Sequence, residues 1–158
     1  MVHEGGYVNN PRDPGGMTNL GVTAINWQNW TRSIVSETAM RALTLDDVRP
    51  FYRANYWNAL SADGLPSGVD WVVFDFGVNS GVLRSARYLQ RVLGVNQDGH
   101  IGPIVIDAAK KRNSKELIGL ICDARQEFLE SLSTFDKFGR GWLRRVTEVR
   151  TQAESLVV

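Results

Sequence analysis

Apolar residues along this chain recur mostly at three- and four-residue intervals, and long alternating stretches are absent. That period belongs to helices with one buried face. A short helix is expected over 24–30. Thr44 with Asp47 has the spacing of a capping box and leads into "DVRPFYRANYW", where Pro50 must start or kink a helix. "SADGLPSG" then reads as a loop. Residues 69–79, "VDWVVFDFGVN", are apolar on nearly every side, the pattern of a central helix enclosed by others. Ser80 is placed to cap the next helix, "GVLRSARYLQRVLG", and Gly94 to end it. Pro103 suits the first position of another helix. Asn113 with Glu116 suggests a further cap, opening a long amphipathic helix to about 133, and a last helix is expected from near 141 to 154. The fold class is mainly α, with any β structure confined to a small hairpin in residues 7–23.

The 158 residues suffice for one domain with a real core, and 43% hydrophobic with 22% charged is ordinary for a globular protein. No window is long and apolar enough for a membrane span, and no secretory signal is visible at Met1. The single cysteine, Cys122, excludes an intrachain disulfide. Its helical neighbours Ile118, Ile121 and Leu129 suggest a buried, inert thiol. Net charge is +1 but unevenly spread: residues 1–79 hold five basic against eight acidic side chains, and residues 80–158 thirteen against nine. That excess is too small and scattered for nucleic-acid binding, although it leaves a mild attraction to a polyanionic surface open.

The chemistry concentrates at the start, in "EGGYVNNPRDPGGMTNLGVT". Glycosidic cleavage commonly uses two carboxyl groups, one protonated to supply the leaving oxygen and one ionised to activate water or attack carbon. Glu4 precedes two glycines, which let a bulky ligand approach. Asp13 lies in a Pro/Gly turn and is expected to stay solvated and charged. From residue types alone, an Asp between two prolines is more often a turn former. "NQDGHIGP" forms a compact turn in which Asp98 bonds its own following backbone. It is no calcium loop, and "HEGG" lacks the second histidine of a zinc motif.

The opening segment resembles the signature of glycoside hydrolase family 108, the N-acetylmuramidases of phage and prophage lysis modules. Its Glu-Gly-Gly, Asp-Pro-Gly-Gly, Thr and Gly-Val-Thr elements are all present. "YW" at 56–57, "FDFGVNSG" at 74–81 and "GWLRRV" at 141–146 resemble later family segments, and the chain from about 71 resembles a peptidoglycan-binding region. The resemblance implies a lysozyme-like helical fold in a single domain, with 1–70 as catalytic lobe and 71–158 as helical lobe. It implies a peptidoglycan hydrolase cleaving the β-1,4 bond between N-acetylmuramic acid and N-acetylglucosamine. Glu4 matches the catalytic general acid. Asp13 and Thr18, the latter one residue closer than in wider phage-type lysozymes, resemble the pair that holds or activates water. Tyr7 and Asn79 are candidates for sugar contacts, with local packing or capping as their alternative roles. No metal or organic cofactor is implied. The partners expected are glycan strands of peptidoglycan, with no nucleic acid and no membrane span. The protein would be made in the cytoplasm and act on the bacterial wall after release or export. The alternatives are a non-catalytic or truncated wall-binding protein and a lytic transglycosylase. Relatives carry a helix before Glu-Gly-Gly; with only residues 1–3 there, a neighbouring chain is expected to cover the gap, making an oligomer, or the first residues to be poorly ordered.

Overall fold

Cα packing divides the chain into two compact units, Met1–Ala54 and Asn55–Val158. The computed structural model describes residues 5–158. The first unit holds a three-stranded antiparallel sheet, β1 (Val8–Asn9), β2 (Met17–Asn19) and β3 (Val22–Thr23), in the order β1-β2-β3. Three short helices follow: α1 (Ala24–Thr31), α2 (Glu37–Arg41) and α3 (Leu45–Tyr52). The hairpin expected in residues 7–23 is therefore present, with one strand more. Each helix start is capped by a hydroxyl. Thr23 accepts from the Asn26 N–H, Ser36 from Ala39, and Thr44 makes the full reciprocal box with Asp47. Pro50 lies inside α3, which gives way to a π-helical turn, Arg53–Trp57. A proline there removes one helical hydrogen bond and crowds the preceding turn.

The second unit is built around α4 (Val69–Ser80), packed by α5 (Val82–Leu93), α7 (Ser114–Glu130) and α8 (Phe135–Ser155), with α6 (Pro103–Lys110) on α5 and α7. The all-round apolar pattern of 69–79 means what it suggested. Val69, Val72, Val73 and Phe76 are fully buried, and Leu89, Leu117, Ile118 and Ile121 pack into the same core. Each such side chain contributes about 1.5–3 kcal/mol of burial. Gly68 has φ +85°, and a Cβ there would lie 2.5 Å from the Ala153 carbonyl oxygen. Only glycine lets α4 begin this close to α8.

Three boundaries differ from the sequence reading. Ser80 is the last residue of α4 and caps nothing; Gly81, at φ 100° and ψ 141°, breaks α4 from α5 instead. The long helix stops at Glu130, short of 133, where Ser131 closes it. α8 begins six residues before 141, because Gly139 admits the Phe135 ring that a Cβ would strike at 2.6 Å. The turn at 98–103 is pinned from below. Gln90, 1% exposed, donates to the Asp98 carboxylate at 2.7 Å and to the His100 carbonyl, and accepts from the Gly99 N–H. The His100 N–H and then Gln90 hold Asp98 below the usual carboxylate range. Cys122 is buried as expected, and desolvation pushes its thiol up to about 11.

One charge lies inside this core. Asp75, in the middle of α4, accepts from Arg125 of α7 at 2.7 Å and from Arg145 of α8 at 2.8 Å. Arg125 is 1% exposed, and its guanidinium also stands over the Phe76 ring. Burial alone would raise Asp75, but the Arg145 hydrogen bonds and the two guanidinium charges bring it below the ordinary value. Because the folded value lies below the unfolded one of about 3.9, this stabilisation is complete above the unfolded value and disappears as pH falls through the folded one. Asp75→Asn leaves two guanidinium groups without their counter-charge and should cost about 3–5 kcal/mol. Denaturant unfolding at pH 7 measures that loss, and the gap between parent and variant should narrow below about pH 4. Equal stability at pH 7 would mean the buried pairing contributes nothing.

Candidate active site

The candidate residues fall on both units. Glu4 lies outside the described residues. Its neighbour Gly5 is fixed to the sheet, since its carbonyl accepts from the Leu20 N–H at 3.1 Å. Asp13 occupies the turn between β1 and β2. Its N–H donates to the Asn10 carbonyl, its own carbonyl accepts from Gly16, and its Oδ1 accepts from the Gly15 N–H at 2.8 Å. The carboxylate is exposed, and Oδ2 has no partner among the described residues. Asp13 is thus the turn former that its prolines suggested, with one oxygen left for other work. Gly15 is needed here because a Cβ would lie 2.9 Å from the Thr23 methyl and 3.3 Å from Asp13 Oδ1.

Strand register sorts the remaining candidates. Thr18 of β2 stands opposite Val8 on one side and Thr23 on the other, so these three share a face. Asn19 points the other way and donates to the Met40 carbonyl at 2.7 Å, tying the sheet to α2. Tyr7 turns to that same α2 side. The Arg41 guanidinium stands 3.9 Å from its ring centroid, and its hydroxyl is closed off from water. Desolvation, and then the neighbouring Glu37 carboxylate, raise the Tyr7 phenol above its ordinary value against the pull of Arg41. Glu37 is lowered, first by its hydrogen bonds from Arg41 and then by Tyr7. The sheet therefore separates Tyr7 from Thr18, and one face of the Tyr7 ring is already covered. Asn79 belongs to the second unit, exposed near the end of α4, where its Oδ1 accepts from the Ser80 hydroxyl at 3.2 Å.

The turn joining β2 to β3 is stiff. Leu20 and Gly21 both have positive φ, 50° and 77°. Two such residues give the turn whose twist matches its strands, but leucine is unusual in the first position. The Tyr52 hydroxyl donates to the Leu20 carbonyl at 2.8 Å and so holds it there. Neither the Tyr52 latch nor the Glu37–Arg41 clamp on Tyr7 was recognised from the sequence. Both join residues thirty or more positions apart, and a short helix of five residues shows little periodicity.

The chain matches the model of the family described as Glycosyl hydrolase 108 over residues 1–81. The chain belongs to the glycosyl hydrolase 108 family. Residues 84–147 match a second model, described as a "Predicted Peptidoglycan domain". Among solved structures, the chain is similar to Brucella abortus SagA at 43% identity and a TM-score of 0.86, covering 98% of this chain and 89% of that one. No curated protein matches it. The mainly helical, lysozyme-like fold and the family expected from the opening motif are both borne out. The protein is a glycoside hydrolase acting on peptidoglycan as a muramidase. Among the described residues no helix is long and apolar enough to cross a membrane.

In this family 108 chain the opening hairpin carries most of the signature, and its stiffness has a measurable source. Tyr52→Phe removes one hydrogen bond from the strained turn and should lower stability by about 0.5–1.5 kcal/mol. Turnover of peptidoglycan should fall with it. Thermal unfolding and hydrolysis unchanged from the parent would show that the Leu20 turn stands without its latch.

Proposed function

We propose that the chain hydrolyses the β-1,4 bond between N-acetylmuramic acid and N-acetylglucosamine, with Glu4 as general acid and Asp13 with Thr18 placing the water. The observation that carries this reading is the family 108 match across residues 1–81, which takes in the whole segment from Glu4 to Thr23. Glu4 protonates the bridging oxygen as the glycosidic bond breaks, and positive charge develops on the sugar ring. Water on the opposite face adds to the anomeric carbon. Its proton passes to the free Oδ2 of Asp13, and the product is the inverted anomer. The exposed position of Asp13 supports this role, because its Oδ2 is open to water. The Gly15 N–H bond to Oδ1 fixes which oxygen is presented. Thr18 lies on the sheet face away from α2 and offers its hydroxyl as a second water ligand. The exposed Asn79 amide supplies both a donor and an acceptor for sugar hydroxyls. Tyr7, clamped by Arg41 and Glu37, serves to position the strand that follows Glu4.

The cell setting that fits this chemistry is bacteriolysis by a phage- or prophage-type endolysin that reaches the wall after release or export. Glu4→Gln preserves shape but has no acidic proton to give. It should lower hydrolysis of purified peptidoglycan about 10²–10⁴-fold while the thermal unfolding midpoint stays at the parental value. Near-parental turnover in that variant would remove Glu4 from the mechanism.

A further inference from the structure

The second unit contains a cavity of about 490 Å³ that the hydrolytic reading does not use. Ser80, Gly81 and Val82 form one side, Leu83 and Tyr88 the apolar lining, and Arg84 and Arg87 the rim. Both arginines are exposed. Arg84 is partly engaged, donating to the Ser80 carbonyl at 2.9 Å and standing over the Phe128 ring. Arg87 has no hydrogen-bond or ion-pair partner among the described residues. Arg91, one turn further on, shares their side of α5. Three arginines thus line one side of α5, and no ion pair is formed by any of them among the described residues. The wall of the cavity is firm. A Cβ at Gly99 would lie 2.2 Å from the Leu83 side chain and 3.6 Å from that of Arg87, so the turn pinned by Gln90 backs both residues.

We propose that this cavity binds the carboxylates of the short peptide attached to the muramic acid, so that the second unit reads the peptide while the first cleaves the glycan. The inference rests on the peptidoglycan reading above and adds the part of the substrate recognised. The N-acetylated sugars of a peptide-substituted strand are uncharged and offer two exposed guanidinium groups nothing to neutralise. The peptide carries free carboxylates, which guanidinium groups bind in paired, charge-assisted hydrogen bonds. Leu83 and Tyr88 offer apolar surface to small side chains between those carboxylates. The match of residues 84–147 to a peptidoglycan domain covers Arg84, Arg87, Tyr88 and the backing turn together.

Titration calorimetry with the full chain tests the proposal. The probes are a soluble disaccharide–tetrapeptide, the same molecule with its carboxylates amidated, the peptide-free disaccharide with its lactyl carboxyl amidated, and a glycerol phosphate oligomer. The free-acid peptide should bind, and amidation should weaken it about tenfold. Arg87→Gln should cause a similar loss, and Arg84→Gln with it a larger one, while Arg87→Lys retains part. Binding of the peptide-free disaccharide should not change in these variants. Because Arg87 has no hydrogen-bond or ion-pair partner among the described residues and glutamine keeps the inner part of its stem, Arg87→Gln is the informative variant even if Arg84→Gln loosens the Phe128 packing. Equal binding of acid and amidated peptides overturns the proposal, as does an Arg87→Gln variant that binds like the parent. Tighter binding of glycerol phosphate than of the peptide, lost in the same variants, also overturns it in favour of a phosphate polymer. If the parent shows no hydrolysis while the arginine-dependent peptide binding persists, the muramidase mechanism falls and this site stands.

Discussion

Asp75 is closed off from water in the middle of α4 and bonded by Arg125 from α7 and Arg145 from α8. Taking three charged groups out of water costs several kcal/mol per ion, so the arrangement persists only if all three helices come together in one register. A slip of α7 or α8 by a turn would leave a buried charge alone. The apolar residues of α4 supply most of the burial, but they point all round the helix and do not by themselves select which neighbour goes where. The carboxylate does. It fixes α4 against α7 and α8. The Ser85 hydroxyl, donating to the Val73 carbonyl at 2.6 Å, sets α5 on α4 within the same frame.

The first unit solves a different problem. It must hold a polar loop with two prolines and five glycines still enough for catalysis, with little hydrophobic surface to spend on it. Short-range devices do the holding. Asp13 closes its own turn, Asn19 ties the sheet to two carbonyls at the end of α2, and Tyr52 secures the Leu20 turn. Arg41 and Glu37 enclose Tyr7 next to Gly6. None of these is worth more than about 1–2 kcal/mol alone. Together they leave few alternative paths for the segment from Gly5 to Thr23.

Much of this was legible in the sequence, for physical reasons. Residues 69–79 are apolar on every side, and only an enclosed helix satisfies that pattern. The Thr44–Asp47 box, the Asn113 cap, Gly94 and Pro103 are local signals whose chemistry operates over three or four residues. The opening motif spans twenty positions and identified the family. What stayed hidden is long in sequence. The partners of Asp75 lie 50 and 70 residues away, and nothing near Arg125 or Arg145 distinguishes them from other basic residues on a helix. Ser80 misled because its type is right for a cap, whereas the break needed the positive φ of Gly81. The start of α8 was misplaced because glycines at 139 and 141 resemble a boundary, whereas Gly139 serves close packing of Phe135 inside the helix.

The family matches to a glycosyl hydrolase and to a peptidoglycan domain both point to peptidoglycan. The most direct measurement of this account is mass spectrometry of purified peptidoglycan digested by the full chain, before and after borohydride reduction. Fragments ending in reducible N-acetylmuramic acid, with intact peptides attached, are the predicted result. Fragments ending in 1,6-anhydro-muramic acid would contradict hydrolysis by added water, and reducing N-acetylglucosamine ends would contradict the assigned bond.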